Sequence, residues 1–319
     1  MAATTGPGTA RRAELLNAIG NTSLVPLRSI VPPGSAEVFV KLEWENPTGS
    51  MKDRMAREVI TRAESDGRLP PGGTVVEYTG GSTGASLAFV CAVSGHPIHI
   101  VSSDAFSREK LDQMRAFGAE LTLVPSENGL TTRQLILDMI ETARTLSRAP
   151  GTFWTDQLHN ADCIAGYHGL GEEIWAQTGE RVDAFVQSVG TAASLRGTAN
   201  VLRGHHPGVR VVAVEPAESA VLGGGAAGPH KIEGVGIGDI PPLWDPSIVD
   251  EIVAVPTDDA KAMARRLARE EGLFAGTSSG ANVIAALAVA RRLGSGARVV
   301  TLMVDSGLKY LGTDVYRGA

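Results

Sequence analysis

From Glu37 onward, short β-branched runs alternate with helical stretches. EVFVKLE, TVVEYT, PIHIVSS, AELTLVP, DAFVQSV, VRVVAVE and ARVVTLMV read as strands. Helical spacing lies between them near residues 51–65, 83–94, 107–117, 131–147, 161–177, 194–204, 258–271 and 279–293. Continuous apolar strands separated by amphipathic helices bury their side chains in parallel sheets covered on both faces. The chain is therefore read as α/β with mostly parallel sheets. No repeat or low-complexity linker interrupts the alternation. Residues 222–245, LGGGAAGPHKIEGVGIGDIPPLWD, have no clear period and are too long for a simple connection. Loops of that length in compact domains are often functional.

With 319 residues, 43% of them hydrophobic, the chain can hold one large domain or two modest ones. The net charge of −6 is interspersed, which offers no surface for nucleic acid. No apolar run approaches the ~20 residues of a membrane span. The start, MAATTGPGTARR, has an arginine pair without an apolar stretch behind it, so it reads as a disordered arm and not an export signal. Two cysteines, Cys91 and Cys163, cannot form a disulfide framework, which fits a reducing cytoplasm. Cys91, in the apolar helix ASLAFVCAVSG, reads as a core residue.

NPTGSMKDR, residues 46–54, places Lys52 in the first turn of a helix, with Ser50 as N-cap and Asp53 as in a capping box. That end of a helix is positive and disfavours an ammonium group. Lys52 is either a solvated side chain curling away or an amine that benefits from losing its proton. Three glycine-rich turns follow: TGGSTG (79–84), SVGTAAS (188–194) and LFAGTSSGAN (273–282). Each puts small residues, hydroxyls and bare backbone N–H groups at a helix start, which suits a phosphate or carboxylate. Any one of them could be merely a tight turn with a cap. Three at the strand-end edge of an α/β protein point to ligand binding. A literal GxGxxG at Gly223, Gly225 and Gly228 follows no strand directly, and Pro229 and His230 come where a helix should start. It lacks the context of a dinucleotide fingerprint. His159, Cys163 and His168 match no common zinc spacing, so no metal site is expected.

In this order, a lysine after NPTGS, then TGGSTG, VGTAAS and GTSSGA, the chain resembles the pyridoxal-phosphate enzymes of fold type II, the tryptophan synthase β fold. Within them it is most similar to the cysteine synthase and cystathionine β-synthase family. The likeness runs from about Leu15 to Tyr310 and includes NAIGNTSLVPL, QMRAFGAELTLVP, HGLGEEIWAQTG, AVEPAESAVL and MVDSGLKY. It implies two three-layer domains: a larger cofactor-binding one, residues 1–45 plus 157–319, and a smaller mobile one, residues 46–156. It implies that Lys52 forms the Schiff base with pyridoxal 5'-phosphate, for which a neutral amine is needed. Gly190, Thr191, Ala192, Ala193 and Ser194 would hold the phosphate. The family more usually has glycines at 192 and 193; methyl groups are tolerable there if neither residue needs positive φ. Ser278 would face the pyridine nitrogen, and a hydroxyl does not enforce a protonated ring, which suits elimination from Cβ over transamination. Thr79, Gly80, Gly81, Ser82 and Thr83, with Gln157, would grip the substrate carboxylate. Cysteine synthases typically read TSGNTG in that loop. Here Ser82 stands beside the cofactor's 3′ oxygen in place of asparagine, and Gly80 replaces a serine. A roomier pocket is the expectation.

The resemblance implies β-replacement on an activated L-serine-type amino acid through an aminoacrylate, with sulfide or another small nucleophile. It implies a cysteine synthase-like transferase or lyase of amino-acid biosynthesis, cytoplasmic and homodimeric. No nucleic-acid or membrane partner, heme-binding extension or C-terminal regulatory domain is expected. One alternative is a serine or threonine deaminase, whose usual asparagine–histidine form of the substrate loop is absent. Another is a non-catalytic binding subunit, against which Lys52, Ser278 and the phosphate loop argue.

Overall fold

The computed structural model describes residues 14–129 and 132–317, so the expected N-terminal arm lies outside the described residues. In chain order the elements begin with β1 (Leu24–Pro26), β2 (Glu37–Leu42), α1 (Lys52–Ser65), β3 (Thr74–Tyr78) and α2 (Ser82–Ser94). There follow β4 (Ile98–Ser103), α3 (Arg108–Ala116), β5 (Glu120–Val124), α4 (Arg133–Leu146) and β6 (Thr152–Trp154). The rest are α5 (Asp162–Ala165), α6 (His168–Gln177), β7 (Ala184–Ser188), α7 (Ala193–His205), β8 (Arg210–Pro216), β9 (Glu251–Val255), α8 (Thr257–Arg266), α9 (Thr277–Leu293) and β10 (Arg298–Met303).

The chain forms two compact units. The first takes the described residues up to Gly20, Asn46–Thr48 and Lys52–Asp162. Its four strands run in the order β5-β4-β3-β6, all parallel. Val76, Tyr78 and Val101 of this sheet pack with Leu135, Met139 and Ala143 of α4. The second takes Asn21–Glu45, Gly49–Met51 and the described residues from Cys163 on. Its order is β1-β2-β10-β7-β8-β9, parallel except for the β1–β2 pair. Val38, Val40, Val186, Val212, Val214 and Val299 meet a small-residue face of α9, Ala281, Ala285 and Ala286. Branched side chains fill the sheet surface while alanines let the helix approach.

The seven expected strands all form. Three more form: β1 and β6 are only three residues long and too short to stand out, while β9, EIVAV, is as apolar as the expected strands but is not among them. The single helix expected over 161–177 is broken, with Gly166 and Tyr167 between α5 and α6. The one expected over 258–271 is regular only to Arg266; Leu267–Glu271 is a π-helical turn closed by Gly272 at φ 71°. Cys91 and Cys163 are buried, and neither is part of a disulfide. Lys41, fully buried on β2, is matched by Glu173 at 2.7 Å, by Gln177 Oε1 at 2.8 Å and by the Thr22 carbonyl. A buried ammonium needs such a full set of acceptors. Among the described residues no helix is long and apolar enough to cross a membrane.

Gly280 is where α9 meets α8, and a Cβ there would overlap the Ala260 carbonyl. Backbone cannot rotate away as a side chain can. Gly280→Ala should therefore destabilise the protein by about 1–3 kcal/mol, read as a lower urea midpoint at unchanged slope.

Candidate functional site

In the first unit, half-buried Lys52 opens α1. Asp53, expected in a capping box with Ser50, reaches back as far as Thr48. It accepts the Thr48 N–H at 2.8 Å and hydroxyl at 2.6 Å. The Thr48 hydroxyl lies 3.3 Å from Ser86 Oγ on α2. The approach to Lys52 is thus tied to the helix that begins at the TGGSTG loop.

That loop leaves the carboxyl end of β3. The Thr79 N–H donates to Val101 O at 2.9 Å, and Thr79 Oγ1 accepts the Gly81 N–H at 3.1 Å. The Thr83 hydroxyl donates to Gln157 Oε1 at 2.8 Å, so Gln157 joins the loop although it lies far along the chain. The start of α2 has no side-chain cap and no acid in its first turn. Its N–H groups suit an anionic group. A Cβ at Gly81 would meet nothing within 4 Å, whereas one at Gly84 would press on Met114 and Thr79. A Cβ at Gly80 would overlap the ring of Phe106. The space expected from Gly80 is therefore not available: Phe106, half-buried against the cluster around Val76 and Leu135, takes it. Glycine at 80 marks a contact.

In the second unit, the SVGTAAS turn leaves β7, its Val189 N–H donating to Val214 O at 2.9 Å. Ala192 adopts φ 68°, ψ −12°, so the condition set for the alanines fails at 192; Ala193 is the first residue of α7. A left-handed residue before a helix gathers successive N–H groups into an anion-binding concavity. This helix start again has no side-chain cap and no acid in its first turn. Ser194 Oγ accepts from Gln187 Nε2, which leaves the serine proton to be donated, and buried Gln187 Oε1 has no partner. A phosphate fits such a turn.

The long loop packs onto it. A Cβ at Gly190 would overlap the Gly234 carbonyl, and the Gly236 N–H donates to Val189 O at 3.1 Å. The same loop reaches α9 through the Glu233 N–H, 3.3 Å from Thr277 Oγ1. Its GxGxxG run starts no helix. Instead Leu222 and Gly223 donate their N–H groups to the Glu215 carboxylate at 2.8 and 3.0 Å.

Ser278, 2% exposed, lies in the first turn of α9, also uncapped and without an acid. The segment Val304–Ser306 anchors it. The Ser279 hydroxyl accepts the Val304 N–H at 2.9 Å, and the Gly276 N–H donates to Asp305 O at 3.3 Å. The other edge of the segment pairs with Gly49 and Met51. The Met51 N–H donates to Val304 O, and the Ser306 N–H to Gly49 O, both at 3.0 Å. The Tyr310 hydroxyl donates to Asp305 Oδ2 at 2.8 Å, and burial next to that carboxylate holds its pKa well above the usual phenol range. A Cβ at Gly276 would overlap both. Asp305, Tyr310 and Phe106 carry no role in the sequence reading; the MVDSGLKY segment is a signal for the first two, and Phe106 has none. His159 pairs with Asp156 at 2.9 Å, and Cys163 is buried. Among the described residues no group of three His, Cys, Asp or Glu could hold a metal.

Residues 15–305 match the family model described as pyridoxal-phosphate dependent enzyme. The cysteine synthase of Staphylococcus aureus (strain Mu50 / ATCC 700699) is 42% identical over 301 residues, covering 93% of this chain and 95% of its own. The solved cysteine synthase of Entamoeba histolytica superposes with a TM-score of 0.89 at 37% identity, covering 95% of this chain and 90% of its own. A solved O-ureido-L-serine synthase gives 0.88 at 37% identity, covering 96% of this chain and 95% of its own.

Two expected outcomes follow from the geometry. Gly80→Ser should cost about 1–3 kcal/mol by forcing the Phe106 ring aside. Combined with Phe106→Ala, the loss should fall short of the sum of the single losses by about 1 kcal/mol or more in a double-mutant cycle of urea unfolding. Ala192→Gly should stabilise the cofactor-free protein by about 0.5–1 kcal/mol, because glycine bears the left-handed conformation without the Cβ penalty.

Proposed function

The chain belongs to the pyridoxal-phosphate dependent enzyme family, and from that premise we propose that it performs β-replacement on an L-serine activated at Cβ. The observation that supports this most is the full-length similarity to cysteine synthases combined with a lysine at the first position of α1. The cofactor is pyridoxal 5'-phosphate. When bound, it supplies the electron sink that lets the Cα proton leave and the Cβ group depart.

We assign the remaining work to this chain's own groups. The N–H groups of Gly190, Thr191, Ala192, Ala193 and Ser194, with the Thr191 and Ser194 hydroxyls, hold the phosphate at the positive end of α7. Ser278 presents a neutral hydroxyl to the ring nitrogen, so it does not impose a proton there. Thr79, Gly80, Gly81, Ser82 and Thr83 orient the substrate carboxylate with Gln157. Lys52 anchors the cofactor, takes the Cα proton and returns a proton to Cα at the end. A positive helix end favours the neutral amine, which is the form that can accept that proton. The incoming group is sulfide or another small nucleophile; relatives named cysteine synthase and O-ureido-L-serine synthase support that range. The proposal includes a homodimer acting in the cytoplasm.

O-acetylserine or O-phosphoserine should exchange its α-proton in deuterated water and yield a replacement product identifiable by mass. Lys52→Ala should lower turnover by about 10²–10⁴-fold. Borohydride reduction followed by peptide mapping should place the cofactor on Lys52. A label on another lysine would overturn the assignment, and no α-proton exchange with any Cβ-activated amino acid would overturn the reaction.

A further inference from the structure

Glu77 lies on β3 one residue before Tyr78, fully buried, and no sequence feature marked it. Its carboxylate collects three donors. The Thr155 hydroxyl donates at 2.5 Å and the Gln157 N–H at 3.0 Å, both to Oε2, while the Tyr78 N–H donates to Oε1 at 2.9 Å. These donors sit at the carboxyl ends of β3 and β6, the two strands whose exits carry the TGGSTG loop and Gln157.

Between Thr155 and Gln157 stands Asp156 at φ 42°, a non-glycine residue in left-handed conformation. Such a residue persists only where its surroundings over-determine it. Glu77 brackets it, gripping the residue before through its hydroxyl and the residue after through its N–H. Downstream, the Asn160 and His159 N–H groups close onto Asp156 O at 2.9 and 3.0 Å. The strained turn fixes where the Gln157 side chain starts, and that side chain meets the Thr83 hydroxyl of the loop.

A buried carboxyl without a cation is costly, and no lysine, arginine or histidine among the described residues lowers the pKa of Glu77. Burial is the main cause that pushes it up to about 7, against the pull of its three donors. Hydrogen bonds to an ionised carboxylate are about twice as strong as neutral ones, which is what a strained turn requires.

We propose that Glu77 is a positioning residue for the amino-acid substrate: its carboxylate clamps the Thr155–Gln157 turn to the exit of β3 and so sets Gln157 against the loop that holds the substrate carboxylate. This rests on the β-replacement reading. That reaction has two half-reactions, and Glu77 acts only in the first, where the amino acid binds.

The test measures kcat/KM separately for O-acetylserine and for sulfide in the loaded enzyme, together with the thermal shift produced by L-serine. Assayed above pH 7, where the carboxyl is mostly ionised, Glu77→Gln removes the charge. Glu77→Asp keeps the charge but withdraws it by one methylene, and it stands in should the first variant fail to fold. Either variant should lower kcat/KM for O-acetylserine about five- to tenfold and shrink the L-serine shift, with kcat/KM for sulfide within twofold of wild type. Equal losses in both half-reactions, or a lower melting temperature with both ratios unchanged, would overturn the proposal by reducing Glu77 to a structural role. If wild type itself processes no Cβ-activated amino acid, the reaction assigned above fails instead.

Discussion

The second unit depends on three residues after β10. Val304, Asp305 and Ser306 hydrogen-bond through their backbone to two segments that are distant in sequence, Gly49–Met51 on one side and Ala275–Gly276 on the other. Ordering the residue next to a reactive side chain normally costs backbone entropy on the order of 1 kcal/mol or more. Here part of that ordering is supplied by the fold itself, because the Met51 N–H is hydrogen-bonded immediately before Lys52 and the Gly276 N–H immediately before the helix of Ser278. Buried Tyr310 and Asp305 back this seam, and Gly276 has no side chain because the pair fills its space.

Helix starts tell a related story. Thr132 caps α4 by accepting the Leu135 N–H at 3.1 Å, while α3 and α8 carry acids in their first turns. The helices behind TGGSTG, SVGTAAS and GTSSGA have neither device. First-turn N–H groups without a side-chain cap are the groups that a bound anion can satisfy. Stability and ligand affinity are therefore coupled through the same backbone groups, and Ala192 adds a strained residue to that coupling.

Much of this was legible in the sequence. Runs such as TVVEY and DAFVQS carry consecutive apolar residues, VV and AFV, because both faces of a parallel strand are covered, and that pattern survives any loop variation. Most helices appeared at their expected places because their periods differ from those of the strands, while the stretches 161–177 and 258–271 are interrupted by breaks that their periodicity did not show. What stayed hidden was tertiary. TFW and LVP are too short to announce strands. Nothing in the letters places Ala192 at positive φ, since alanine seldom goes there. The bearing of Phe106 on Gly80 joins two turns through space, and Glu77 resembles an ordinary polar break in a strand until Thr155 and Gln157 close on it.

The contact between Phe106 and Gly80 also constrains sequence change. Position 80 and position 106 cannot hold a hydroxymethyl group and this aromatic ring packed as it is now. A serine at 80 therefore requires the ring at 106 to move or to be replaced by a smaller side chain. The two positions should drift together across descendants of this chain, with small residues at 80 wherever an aromatic stands at 106.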